Sequence, residues 1–149
     1  MLLKKKIIGI VSDHAGFELK EFLRESLINS EFEILDMGTF SDKSTDYPDY
    51  AHMLGAEVNS GRLSSGIAIC GSGQGMSITL NKYPNVRAAL CWNGDIAQLA
   101  RLHNDANILV LPGRFVRHEA ALEMVQIFMK TDFEGGRHQA RVDKIKIKI

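Results

Sequence analysis

The sequence predicts an α/β fold, with one parallel sheet of five strands and helices on both faces. Two observations carry this. Short apolar, β-branched runs alternate with stretches whose apolar residues recur at helical spacing. The alternation runs through all 149 residues without repeat or low-complexity linker, which matches layered βαβ units and one domain over residues 1–149.

In chain order, KKKIIGIVS (4–12) reads as the first strand. FELKEFLRESLI (17–28) is a helix, with Phe17, Leu19, Phe22, Leu23 and Leu27 forming one blurred apolar face. FEILDMG (32–38) is the second strand and stops on glycine. A polar loop, TFSDKSTDYPD (39–49), follows, and Pro48 suits the first turn of a helix running to about Asn59. SGIAIC (65–70) is the third strand, GMSITLNKY (75–83) starts a helix, and VRAALCW (86–92) is the fourth strand. GDIAQLARLHN (94–104) is a helix, NILVLPG (107–113) the fifth strand and HEAALEMVQIFMK (118–130) a helix. In such sheets ligands sit beyond the carboxyl ends of the strands. Asp13-His14, Cys70 with its glycines, Trp92-Asn93 and Gly113-Arg114 all fall at those ends.

Composition narrows the function classes. The chain is 45% hydrophobic and 24% charged, ordinary for a soluble globular protein. Formal net charge is zero, so neither a nucleic acid nor an acidic membrane is indicated as partner. The apolar runs are strand-sized, far short of the roughly 20 residues of a membrane span. MLLKKKIIGIV faintly mimics a signal peptide, but Asp13-His14 interrupts the apolar run, and it reads better as a strand. Two cysteines, Cys70 and Cys91, make no disulfide framework, which points to a cytoplasmic setting.

The densest cluster of unusual residues is AICGSGQGMS (68–77), a thiol directly before Gly71, Gly73 and Gly75. Met76 stands where a dinucleotide fingerprint needs its third glycine. No P-loop, no C-x-x-C pair and no G-x-S-x-G elbow is present. A phosphatase loop would carry arginine six residues after the cysteine, and Met76 stands there. What remains is a thiol near a helix N-terminus beside backbone N–H groups with little bulk around them. Such a place lowers a thiol's pKa from its reference of about 8.5 and stabilises an adjacent oxyanion. That suits removal of a proton from a carbon next to a carbonyl. The competing reading is a buried cysteine closing a strand before a tight turn.

Other residues are suggestive without being decisive. Arg137 and Arg141 are four apart, so on a helix they share a face and could grip a phosphate; a solvated basic tail, continued by KIKIKI, is the alternative. His103-Asn104 ends a helix, where a histidine can either complement the helix dipole or act as an acid or base near neutral pH. Asp13 can point into the crevice or cap the following helix. Tyr47 can contact a ligand or simply pack on the rim. His52, His118 and His138 lack metal-ligand spacing, so no metal site is argued. Cys91 reads as a small buried hydrophobe, yet it lies near the crevice and is the rival thiol.

Five segments in one order then carry a resemblance: SDHAGFELK (12–20), DYPDYA (46–51), CGSGQGMSI (70–78), RLHNDANILVL (101–111) and GGRHQARV (135–142). The chain closely resembles the ribose-5-phosphate isomerase B family, which also contains allose-6-phosphate and galactose-6-phosphate isomerases. The resemblance implies a Rossmann-like three-layer sandwich and a homodimer or dimer of dimers whose sites draw on two subunits. It implies an aldose–ketose isomerase acting through an enediolate on a small-molecule sugar phosphate, with no cofactor and no metal. Cys70 matches the base. The loop of Gly71, Gly73, Gln74 and Gly75 matches the anion hole, and Ser72 a position that assists at the sugar oxygens. His103 matches the residue that opens the furanose ring, reaching across from the partner with Asn104. Asp13 and Tyr47 match contacts to sugar hydroxyls. His14, Arg137, Arg141 and Arg114 match the phosphate grip, with Arg114 expected from the partner. One branch of the family uses a glutamate in the loop's helix instead of the cysteine. Met-Ser-Ile-Thr-Leu follows Gly75 here, without an acid, so the chain follows the cysteine branch. A non-catalytic sugar-phosphate-binding subunit is the reading from another class.

Overall fold

The computed structural model describes residues 4–149. Five parallel strands form one sheet in the order β2-β1-β3-β5-β4: β1 (Lys6–Ser12), β2 (Phe32–Asp36), β3 (Gly66–Cys70), β4 (Ala88–Leu90) and β5 (Ile108–Pro112). The helices are α1 (Phe17–Ser26), α2 (Tyr47–Asn59), α3 (Gln74–Leu80), α4 (Gly94–Asn104), α5 (His118–Lys130) and α6 (Arg137–Asp143). Every predicted strand and helix is present, within a few residues. The fourth strand differs most, shrinking from 86–92 to Ala88–Leu90. It lies at the sheet's edge, where one side has no neighbouring strand to extend the ladder. A single 3-10 turn, His14–Gly16, precedes α1 and was not predicted.

Strand periodicity sorts the core into two layers. Ile8, Ile10, Ile67, Ile69, Leu109 and Leu111 face one side, where α1, α4 and α5 cover them with Leu19, Leu23, Ala97, Ala100, Met124 and Phe128. Val11, Ala68, Cys70, Ile108 and Val110 face the other, against Ala51, Leu54 and Val58 of α2 and Met76 and Leu80 of α3. β3 and β5 are buried throughout, as strands covered on both faces must be.

This layering creates the crevice. β1 and β3 are neighbours, yet β1 feeds α1 on one face and β3 feeds α3 on the other. Their outgoing loops diverge, leaving space above the strands' carboxyl ends at the point where the strand order reverses. The wall beside β1 is anchored by charge. Lys20, fully buried, donates to Asp36 at 2.8 Å and to Glu21 at 2.9 Å, and Asp36 Oδ1 accepts from the Gly38 N–H at 3.1 Å. An ammonium without those carboxylates would be intolerable there, so the pairing fixes where the chain leaves β2.

Candidate active site

β3 ends on Cys70, and its side chain belongs to the α2–α3 layer, 4% exposed. The chain then turns through Gly71–Gly73 into α3. Gly73 has φ +77°, a left-handed conformation that lets the backbone double back under the sulfur, and a Cβ there would strike Leu90. The N–H groups of Met76, Gly73 and Gly75 are thereby directed at Cys70. Ser72 is exposed at the tip, its hydroxyl accepting from Gln74 N–H at 3.3 Å.

The electrostatics correct the sequence expectation of a lowered thiol pKa. Burial raises the Cys70 thiol and outweighs the amides, which do pull it down; the nearby Asp13 carboxylate adds to the rise. Desolvating a thiolate costs more than three partial charges return.

Around this thiol and its loop the structure gathers four more predicted residues. Asp13, 6% exposed, accepts the Gly16 N–H at 3.1 Å, so it caps the 3-10 turn, the competing role foreseen for it, while its charge is felt at Cys70. His14 N–H donates to Thr45 Oγ1 and His14 Nδ1 accepts from Thr45 N–H, both at 3.1 Å. That reciprocal pair assigns the neutral ring's proton to Nε2 and leaves that nitrogen free as a donor. Tyr47, 39% exposed at the start of α2, lays its ring over Gly75, where an added Cβ would meet Tyr47 carbons at 2.5 Å. Arg114 stands beside the loop of its own chain. Its N–H donates to Gly71 O at 3.0 Å, and its guanidinium rests against Gly71.

The remaining four lie elsewhere. α4 leaves β4's carboxyl end and runs its 11 residues back along the sheet, about 16 Å at 1.5 Å per residue, before β5 begins at Ile108. His103 and Asn104 are therefore at the opposite end of the sheet from Cys70. Asn104 lines a cavity there with Val86, Arg87 and Ala88, which lead into β4. α6 packs on this end of α4: the His103 and His138 rings stack at 4.2 Å with 14° between planes, and Glu134 N–H donates to Leu102 O at 3.1 Å. Arg137 and Arg141 are exposed beside His138 and depress its pKa. Within one chain the arginines are thus grouped with His103 and not with the glycine loop.

A family model described as Ribose/Galactose Isomerase matches residues 8–145. The chain belongs to the ribose/galactose isomerase family. Among these isomerases it is 42% identical to ribose-5-phosphate isomerase B of Escherichia coli, over 94% of each chain. It superposes on a Thermotoga maritima ribose 5-phosphate isomerase with TM-score 0.93 and 49% identity, covering 96% of this chain and 99% of that one. The Mycoplasma genitalium ribose-5-phosphate isomerase B solved with bound ribulose-5-phosphate gives TM-score 0.90 at 41% identity, over 96% and 95% of the two chains. The α/β, Rossmann-like fold is that of these isomerases.

Cys91, the rival thiol in this isomerase, faces the other layer. It is fully buried among the α1–α4–α5 core, and burial pushes its pKa up to about 12. It cannot meet a ligand in the crevice. Two residues that matter locally escaped the sequence reading. Thr45 lay in an unremarkable polar loop. His138 has no metal-ligand spacing in the sequence, and its only signal there is its place between Arg137 and Arg141. Among the described residues, His103, Glu134 and His138 bring potential metal-ligand atoms within 4.8 Å of one another. The near-parallel stack keeps both imidazole lone pairs in separate planes, so as arranged they do not converge on one ion.

Proposed function

We propose that this isomerase interconverts ribose 5-phosphate and ribulose 5-phosphate at sites shared between two copies of the chain. The observation that carries the chemistry is the set of Gly73, Gly75 and Met76 amides directed at Cys70. The observation that supports sharing is the division of the predicted site between opposite ends of the sheet. A second copy must bring its His103, Asn104, Arg137 and Arg141 to the first copy's loop. Arg137 and Arg141 also counter in part the rise that burial and Asp13 impose on the thiol, which favours its thiolate.

In this reading the arginines and His14 hold the phosphate dianion, with Arg114 beside the loop. The phosphate lies two or three carbons from C1 and C2, so a separate clamp is needed. His103 takes the O1 proton and delivers it to the ring oxygen as the C1–O1 double bond forms and the C1–ring-oxygen bond breaks, giving the open aldehyde and a free 4-hydroxyl. Cys70 thiolate removes the C2 proton, and the electron pair moves through the C1–C2 bond onto O1. Loop amides hold that oxyanion. The thiol returns the proton to C1 while the O2 proton passes to O1 with help from Ser72, leaving a ketone at C2. Asp13 and Tyr47 orient the hydroxyls. Each copy is one domain. Neutral net charge speaks against a nucleic-acid partner, no described helix is long and apolar enough to cross a membrane, and two free cysteines favour the cytoplasm.

The test is formation of ribulose 5-phosphate in a coupled assay, beside allose and galactose 6-phosphates. Higher kcat/KM on a hexose phosphate, or none on any sugar phosphate, would replace the pentose reading. In the same assay Arg137→Ala raises KM about tenfold or more, because the anchor serves ground and transition states alike. An unchanged KM removes Arg137 from the grip.

A further inference from the structure

His138 is a histidine that nothing above employs. It sits in the first turn of α6, 5% exposed, its ring face against His103 at 4.2 Å. Its Nε2 is buried without a hydrogen-bond partner; the nearest carboxylate oxygen, Glu134 Oε1, is 3.7 Å away. A side chain kept only for packing would not carry an unpaired nitrogen, since Leu or Phe fills such a place without that cost.

We propose that His138 is a positioning residue for ring opening: its face fixes the plane of the His103 imidazole and presents that ring's nitrogens outward to the sugar. The proposal rests on the ring-opening reading of His103. Two stacked imidazolium rings would repel, so one partner must stay neutral while the other gains and loses a proton. His138 is the neutral one. Burial lowers its pKa first, and His103, Arg137 and Arg141 lower it further against the opposing pull of Glu134. A neutral aromatic face also attracts His103 in its cationic form, so the stack survives the proton transfer. Half-buried at the end of a helix, His103 has no hydrogen bond to another described residue that would otherwise orient its ring.

The experiment compares His138→Leu and His138→Phe, both apolar and free of the unpaired nitrogen, so both are expected to fold. Two readouts are used on each. One is turnover of ribose 5-phosphate, which requires opening a furanose. The other is exchange of the C1 proton of ribulose 5-phosphate with deuterated solvent. That ketose has no free 5-hydroxyl and stays open, so exchange reports the thiol chemistry alone. His138→Leu is expected to lose about tenfold or more in turnover, a part of the full acid–base contribution, with exchange within about twofold of wild type. His138→Phe, which restores a flat face, should recover most of the turnover. Equal activity of the Leu and Phe variants, or parallel loss of turnover and exchange, overturns the positioning role. His103→Ala serves as control. If it loses both readouts together, the ring-opening reading itself fails; if it loses turnover alone while His138→Leu is unaffected, only the His138 inference fails.

Discussion

Cys70→Ala abolishes most turnover, by about 10²–10⁴-fold, while still binding sugar phosphate. The phosphate clamp, Asp13 and Tyr47 are untouched by the substitution, so ground-state binding persists, and the loss appears in kcat. Removing a buried sulfur from beside Met76 and Leu80 costs little packing, so the variant folds. Near-normal kcat would end the assignment. The wild-type thiol supplies a second measurement. Its pKa is raised by burial, so below that value the thiolate fraction of the free protein grows with pH. Alkylation of Cys70 should accelerate from pH 7 to pH 9 and extinguish activity in proportion. Bound substrate analogue should block it. Cys91, fully buried with its pKa near 12, stays unlabelled while the fold holds. Its folded pKa lies above the unfolded value, so its contribution to stability is intact below the ordinary thiol range. That contribution is lost as pH rises toward about 12, and labelling of Cys91 above pH 9 therefore reports unfolding.

A mixture of Cys70→Ala and His103→Ala chains regains activity that neither has alone. In a mixed dimer one site pairs Cys70 of one chain with His103 of the other, both intact, and the second site lacks both. Random pairing makes half of the dimers mixed, so recovery approaches about one quarter of wild type. Subunits must be exchanged, by co-expression or by refolding together, for this to occur. If His103 served the Cys70 of its own chain, no mixture would recover anything. Absence of recovery in verified mixed dimers would therefore overturn the shared site, whatever the chemistry at Cys70.

Both predictions depend on a division that the linear sequence hides. The loop of 70–75 was legible because its glycines and cysteine are adjacent in the chain, and local backbone geometry follows from local sequence. Arg137 and Arg141 were legible as a pair for the same reason, being one helical turn apart. That they stand with His103 and not with Cys70 follows from α4 running the length of the sheet, which only packing reveals. The thiol's pKa misled in a related way. The amides that lower it are neighbours in sequence, whereas the burial and the Asp13 charge that raise it come from α2, α3 and β1. Cys91 was ambiguous until strand alternation sent it into the opposite layer.

The sequence by itself determined the alternation of strands and helices, the parallel sheet, the glycine turn after Cys70 and the family. These rest on periodicity and on short-range backbone constraint, which a string of residues contains in full. Tertiary structure alone decided which residues share an end of the sheet, that Thr45 holds His14, that Lys20 is buried against Asp36, and that His138 lies flat on His103. Those outcomes are set by distances between segments far apart in the chain. Such distances arise only when the two core layers close over the sheet and exclude water from between them.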